Sequence, residues 1–389
     1  MRSGLKKIYV YTFLYSFLLL NPIWVLYLLG LGFNLFLITL LDVVFYVVIA
    51  VGSMPTGRIA DKIGRRISLL VSSILTGFGI ILFGLFTSFA GIAVSYVLWG
   101  LGVAINSSAL ESLTFEYSQS HNFRYLEIIG MVNFLGAVSI AVASLVGGYL
   151  GEYEGLRIVI FATGLFVIAS SLYTLRLKEK PRKFIKTRTP LKLKNYVSDR
   201  RILSLILIRV ALVLNFNVMV IFKQPYYEGL GLSVGVIGFI FFIDVLLRGL
   251  SSLYTQRLSF IARNRFGSML IFTSLTFFTI YIPGLVQNYA SILFLILNSV
   301  IFGFYSNILS EEVNVLVPTE IRATVLSVIF LVSSLLTAVA EPFLGASATI
   351  IGLKKTFIIF SVVFLAISTF AILIHIKGKE MNDIAIPNI

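Results

Sequence analysis

Long apolar runs, each close to the length of a membrane-crossing helix and separated by short polar segments, recur along the whole chain. Crossing the hydrocarbon core of a bilayer takes about 20 residues of α-helix. Backbone amides and carbonyls find no water there, so only helices or closed barrels can span it. Unbroken runs of this length point to helices, and the spacing predicts twelve spans: roughly 8–31, 35–57, 67–88, 91–116, 125–149, 156–176, 201–223, 233–256, 266–286, 289–313, 322–348 and 354–376. By length alone, 389 residues would fit about two or three soluble domains. A content of 58% hydrophobic and 12% charged residues excludes that. The first run follows Arg2, Lys6 and Lys7. It is too long for a signal-peptide core and lacks a small-residue cleavage site, so it reads as the first span. The expected class is all-α, a polytopic membrane protein.

The chain carries 31 Lys and Arg against 17 Asp and Glu, a net charge of +14. Most of these cations fall in alternate inter-span loops and at the two ends, the distribution that orients a membrane protein. We therefore expect a multi-pass protein of the cell membrane with both termini cytoplasmic, in contact with lipid and not with nucleic acid. Between Leu177 and Arg200 the pattern changes. Pro181 and Pro190 interrupt a run containing Lys178, Lys180, Arg182, Lys183, Lys186, Arg188, Lys192 and Lys194. This reads as a solvated basic linker able to lie on anionic lipid headgroups. The expected plan is a six-helix bundle over 1–177, the linker over 178–200, a second six-helix bundle over 201–376 and a cytoplasmic tail over 377–389.

Cysteine is absent, which removes disulfides, thiolate nucleophiles and cysteine-based metal sites. The two histidines, His121 and His375, lie far apart at predicted helix ends. There is no Gly-x-Ser-x-Gly, no His/Asp cluster and no phosphate-cradling Gly-x-x-x-x-Gly-Lys. No catalytic residues, metal or cofactor are expected, so an intramembrane enzyme is disfavoured. A non-transporting sensor would want the long soluble domain that this chain lacks.

Residues Gly57 to Arg66 read Gly-Arg-Ile-Ala-Asp-Lys-Ile-Gly-Arg-Arg between the second and third spans. We expect a short charged turn there, held as a latch. Gly57 and Gly64 remove side chains where helices approach closely, Asp61 can face the positive end of a helix, and Arg65 can grip a carboxylate with two hydrogen bonds. Gly57, Asp61, Lys62, Gly64, Arg65 and Arg66 match every fixed position of the cytoplasmic signature loop between helices 2 and 3 of the major facilitator superfamily, and the chain resembles that family. The stretch Pro318 to Ser327, around Arg322, is similar to the family's loop between helices 10 and 11. The second half's counterpart of the first loop, Ser252 to Arg265, is degenerate, with Gln256 in place of the acid. The resemblance implies twelve helices in two pseudo-symmetric six-helix bundles and a secondary transporter that works by alternating access, its cavity lined by helices 1, 4, 7 and 10. It also implies that Glu116 is the latch partner of Arg65, with Arg124 and Arg322 ending the loops after spans four and ten. An internal repeat points the same way. Gly102, Asn106 and Glu111 share their spacing with Gly303, Asn307 and Glu312.

A charge at the bilayer centre costs at least about 2.5 kcal/mol, so intramembrane charges are the first candidates for function. Asp244 and Arg248, four apart on span eight, share a helix face. With Arg209 on span seven they form an expected Arg-Asp-Arg cluster, either coupling or structural. Glu111 is the expected proton carrier, because a carboxyl desolvated there can hold a proton across the midplane. Glu311 and Glu312 are adjacent and cannot both face the cavity. Asp42 on span two and Glu341 on span eleven, just before Pro342, are isolated acids suited to proton relay or outer-gate contacts. Neutral polar candidates on the cavity helices are Asn21, Asn106, Ser107, Asn215, Asn217, Asn298, Tyr305 and Asn307. With an aromatic fraction of 14% they suggest an uncharged or amphipathic organic solute, although such residues also join membrane helices to one another.

Drug-expelling proton antiporters of the superfamily carry an arginine before a Gly-x-Gly early in span four and a series ending Gly-Pro-x-x-Gly-Gly in span five. Gly100-Leu101-Gly102 is present here, with Tyr96 in the arginine's place. In span five Gly130, Gly147 and Gly148 match, while Ser139, Ala143 and Ser144 replace two glycines and the proline. The Pro-Glu-Thr of sugar porters after span six is missing. The expectation is proton-coupled secondary transport of small organic solutes by a monomer, with export slightly favoured. Proton symport into the cell, or lipid or metabolite movement, is the alternative.

Overall fold

The computed structural model describes residues 2–121, 124–177, 200–255, 265–316 and 319–385. Side chains at 2–3, 53–62, 120–121, 126, 201, 265–266, 314–316, 319–330 and 377–385 lie outside the description. Among the described residues all regular structure is helical: α1 Arg2–Tyr15, α2 Trp24–Gly30, α3 Leu35–Ile63, α4 Arg65–Leu85, α5 Phe89–His121, α6 Tyr125–Glu154, α7 Leu156–Thr174, α8 Arg200–Glu228, α9 Val234–Tyr254, α10 Arg265–Leu285, α11 Ala290–Leu316, α12 Thr319–Ile351 and α13 Leu353–Ala385. Eleven of these, α3 to α13, are long and apolar enough to cross a bilayer. Together α1 and α2 take the place of the first expected span.

That span is not continuous. The helix stops at Tyr15 and resumes at Trp24. Pro22 offers no N–H and pushes Asn21 out of the helical region, which breaks the run just before it. Turn bonds replace the ladder, from Leu18 N–H to the Ser16 carbonyl and from Asn21 N–H to the Leu18 carbonyl. Non-helical backbone survives at membrane depth only when protein covers it, and Leu19, Leu20 and Ile23 are buried.

The expected turn at 57–66 is also corrected. Helix α3 runs through it to Ile63, and α4 starts at Arg65. Nothing in Arg58 to Ile63 breaks a helix. The reversal rests on one residue, Gly64, at φ +90°, a conformation that side chains disfavour.

By contacts the chain divides into two compact units, Met1–Lys186 with Gln224–Gly249, and Thr187–Lys223 with Leu250–Ile389. In the first, α4 packs on α5 and α7, α3 on α5, and α1 on α6 and α7. Ile8, Tyr11, Leu69, Ala109, Leu113 and Val132 form a core there. Arg157 closes the end of α4, with Nε 2.7 Å from the Gly84 carbonyl and Nη2 3.2 Å from that of Leu85, a cation on a helix C-terminus. The segment 224–249 meets α6 at Gly148 and Gly238, where a Cβ on Gly148 would lie 2.5 Å from the Gly238 Cα. In the second unit α10 packs on α11 and α13, and α12 on α13. Leu205, Ile208, Met269, Tyr305, Leu309 and Ile372 are central there. Leu172, Phe343, Ile350 and Phe370 are exposed, as suits helices whose outer faces meet lipid tails.

Candidate functional site

Arg65 opens α4 directly after Gly64, is 5% exposed, and forms an ion pair with Glu116 on α5. Arg66 beside it is half-buried. Arg124 stands at the N-cap of α6, where its carbonyl accepts the Glu127 and Ile128 amides. Gly57, Asp61 and Lys62 fall on the last turns of α3 and Arg322 on α12; their side chains, like that of His121, lie outside the description. Gln256 lies outside the described residues. His375 shares a hydrogen bond with Ser204, Nδ1 to Oγ at 2.9 Å.

The intramembrane acids separate sharply by environment. Glu111, the expected desolvated carrier, is exposed on α5 in line with Ser107, also exposed, and Tyr125 donates to it over a long 3.5 Å. Tyr125 itself sits at the start of α6. Burial first, and then the negative charge of Glu111, push its hydroxyl up to about 12. Glu311 and Glu312 diverge, the first exposed and the second 7% exposed. Glu341 is fully enclosed. Asp244 is 6% exposed, with the Arg248 charge beside it. The third member of the expected cluster, Arg209, belongs to the other compact unit and bonds Ser310 Oγ at 2.5 Å.

Asp42 differs from all of these. It is 9% exposed on α3, next to the buried Tyr96 of α5. Among the described residues no ion pair or hydrogen bond reaches its carboxyl. The offset that relates Gly102 to Gly303 also relates, to within two residues, Asp42 to Asp244 and Tyr46 to Arg248. The two halves thus carry matched aspartates, and only the second has its arginine one turn on.

Most of the neutral polar candidates are committed to joining helices. Asn106 accepts 2.7 Å from Tyr11, whose hydroxyl also meets Ser73. Asn215 donates to Asn298 at 3.3 Å, and Asn298 to Thr279 at 2.9 Å. Tyr305 is buried, stacked on Phe272 and bonded to Thr273. Asn307 bonds Ser252 and Thr255. Asn217 is half-buried on α8.

The break in the first span recruits residues that sequence reasoning read otherwise. Ser139 and Ser144, which replace antiporter positions, serve the break directly. Ser139 donates to the Phe13 carbonyl, and Asn21 Nδ2 lies 3.0 Å from Ser144 Oγ. Thr163 accepts the Leu20 amide at 3.0 Å. Gly147 is required because a Cβ there would collide with the Leu19 carbonyl oxygen. Gln224, fully buried, accepts the Val25 amide at 2.9 Å and donates to the Asn21 carbonyl at 3.2 Å. Lys223, 3% exposed and 2.7 Å from Ser299 Oγ, also escaped notice. The signal for these residues was present in the paired dipeptides Asn21-Pro22 and Gln224-Pro225.

A helical, multi-span membrane protein with a broken first span, buried carboxyls and a paired Arg65 at a one-residue hinge is built as a secondary transporter. The profile of the Major Facilitator Superfamily matches residues 9–340, and the chain belongs to that superfamily. No curated protein matches the sequence. Among solved structures, a bacterial homolog of the human lysosomal transporter Spinster, inward-facing and unoccupied, is 17% identical. It aligns over 97% of this chain and 98% of its own, with a TM-score of 0.79. The nucleoside transporter NupG is 11% identical over 95% of this chain and 98% of its own, with a TM-score of 0.78. At these identities the likeness is one of fold.

Proposed function

We propose that the chain is a proton-coupled transporter of small organic solutes working by alternating access, with export favoured. In this reading it acts as a monomer in the cell membrane with both termini cytoplasmic. The observation that carries the proton coupling is the contrast between Asp42 and Asp244. Asp244 has the Arg248 charge beside it. Asp42, enclosed with neutral tyrosine for company, is costly to ionise unless water reaches it. A group in that position takes a proton when the cavity closes over it and releases it when water returns. Glu111, exposed on the Ser107 face, is the second candidate. Export is supported by the partial glycine series of span five. Tyr96, standing where antiporters carry arginine, favours the alternative, proton-coupled uptake of a small metabolite.

The test is a proton-flux measurement in proteoliposomes under an imposed pH gradient, with a panel of aromatic amines, nucleosides and small metabolites. Solute-dependent proton movement that disappears in Asp42→Asn and persists in Glu111→Gln supports the assignment. Flux retained in Asp42→Asn refutes Asp42 as the carrier. Absence of any solute-dependent flux across the panel counts against proton coupling.

A further inference from the structure

The segment Gln224–Gly249 follows the basic linker in sequence yet packs within the first unit, and it is fastened there by two polar side chains that each bond backbone or side-chain groups of another helix. At the end of the helices opposite Gly64, the Glu152 carboxylate of α6 accepts the Gly235 amide at 2.6 Å and the Ser233 hydroxyl at 2.8 Å. A carboxylate at the N-terminus of the 21-residue α9 satisfies orphan amides and complements the helix dipole. Gln224 does the corresponding work near the end of α8, holding both the Val25 amide and the Asn21 carbonyl of the break. Each fastener comes from a different helix than the backbone it caps, so each is lost as soon as the segments part. Between them lies the Gly148–Gly238 approach, which has no room for a side chain and holds only while the backbones stay in contact.

We propose that Glu152 and Gln224 are the positioning residues that lock the gate at this end of the transporter, and that Gln224–Gly249 is the element that leaves when the gate opens. The break in the first span is then the seat of the lock. Pro22 frees backbone groups that a continuous helix would satisfy internally, and Gln224 satisfies two of them only in the closed state. Water replaces these bonds on opening, so the lock is reversible at small net cost. Because it needs only the alternating-access cycle of the superfamily, this inference stands or falls independently of proton coupling at Asp42.

The chain has no cysteine, so a single Leu20→Cys, placed in the break where Leu20 is 2% exposed, reports access without background. The experiment measures its labelling by a membrane-impermeant maleimide in right-side-out and inside-out vesicles, in the parent and with Glu152→Gln, Gln224→Leu or Gln224→Glu added. Melting temperature in detergent serves as the folding control. Removing a fastener should raise labelling from the side opposite Gly64 and leave the other side unchanged, about tenfold for Glu152→Gln, which loses charge-assisted bonds, and severalfold to tenfold for Gln224→Leu, which loses two neutral ones. Gln224→Glu keeps the acceptor for Val25 and should give a smaller rise than Gln224→Leu, or serve in its place if the leucine variant does not fold. Unchanged labelling in folded Glu152→Gln and Gln224→Glu overturns the proposal. A lower melting temperature with unchanged labelling also overturns it, by showing that the contacts are merely structural.

Discussion

Replacing Glu116 by glutamine removes the carboxylate that forms an ion pair with the Arg65 guanidinium, 5% exposed at the start of α4. Breaking a buried ion pair from one side costs about 3–5 kcal/mol, because the remaining charge stays desolvated. The Glu116 side chain is 22% exposed, so water partly replaces the lost partner, and the lower end, about 3 kcal/mol, applies. At about 2–4 °C per kcal/mol for a unit of this size, the melting temperature in detergent should fall by about 6–12 °C. Arg65→Met should cost less, since the carboxylate it leaves is partly exposed to water whereas the guanidinium is enclosed. The double variant Arg65→Met/Glu116→Gln should melt well above Glu116→Gln alone, because both charges then leave together. The assay is a double-mutant cycle of melting curves on purified protein, followed by solute transport in proteoliposomes. Glu116→Gln melting within about 1 °C of the parent, or a double variant whose losses simply add, would refute the coupling of α4 to α5 through this pair. If the pair is a latch as the superfamily resemblance implies, the single variants should also slow transport while leaving solute binding intact.

Other consequences are as specific. Asp244→Asn should lower the melting temperature, because Arg248 loses the carboxylate beside it, whereas Asp42→Asn should melt like the parent and fail only in proton-coupled flux. Ser299→Ala removes an acceptor of the enclosed Lys223 ammonium and should destabilise by about 1.5–3 kcal/mol; Ser299→Thr, which restores the hydroxyl, should recover most of this in the same melting assay. Gly148→Leu should disrupt the α6–α9 approach and cost about 1–3 kcal/mol or more from overpacking. Gly130→Ala, with nothing within 4 Å of its Cβ, should be neutral or stabilise by up to about 1 kcal/mol. Equal melting temperatures for the two glycine variants would show that the close approach is not real.

The twelve apolar runs determined the class by themselves, because burying a bare backbone in hydrocarbon leaves a chain of this hydropathy little alternative to spanning helices. The ordered glycines, acid and arginines of 57–66 carried the family resemblance, since a one-residue reversal needs glycine and a helix-end arginine needs a carboxylate. The pair Asp244 and Arg248 was legible for a local reason, four residues on one helix face. What sequence could not decide was which polar groups meet across helices. Glu111 and Asp42 look alike in a hydropathy trace, and only packing leaves one exposed and encloses the other beside Tyr96. Asn106, Asn215, Asn298 and Tyr305 read equally well as cavity lining until their hydrogen bonds show them joining helices. The first run, read as one continuous span over 8–31 despite Pro22, breaks between Tyr15 and Trp24, and what makes that break tolerable lies on distant groups. Ser139, Ser144, Thr163 and Gln224 satisfy the freed backbone, and Gly147 makes room for it. Local sequence sets what each segment must bury; the partners that satisfy it are chosen by the tertiary fold.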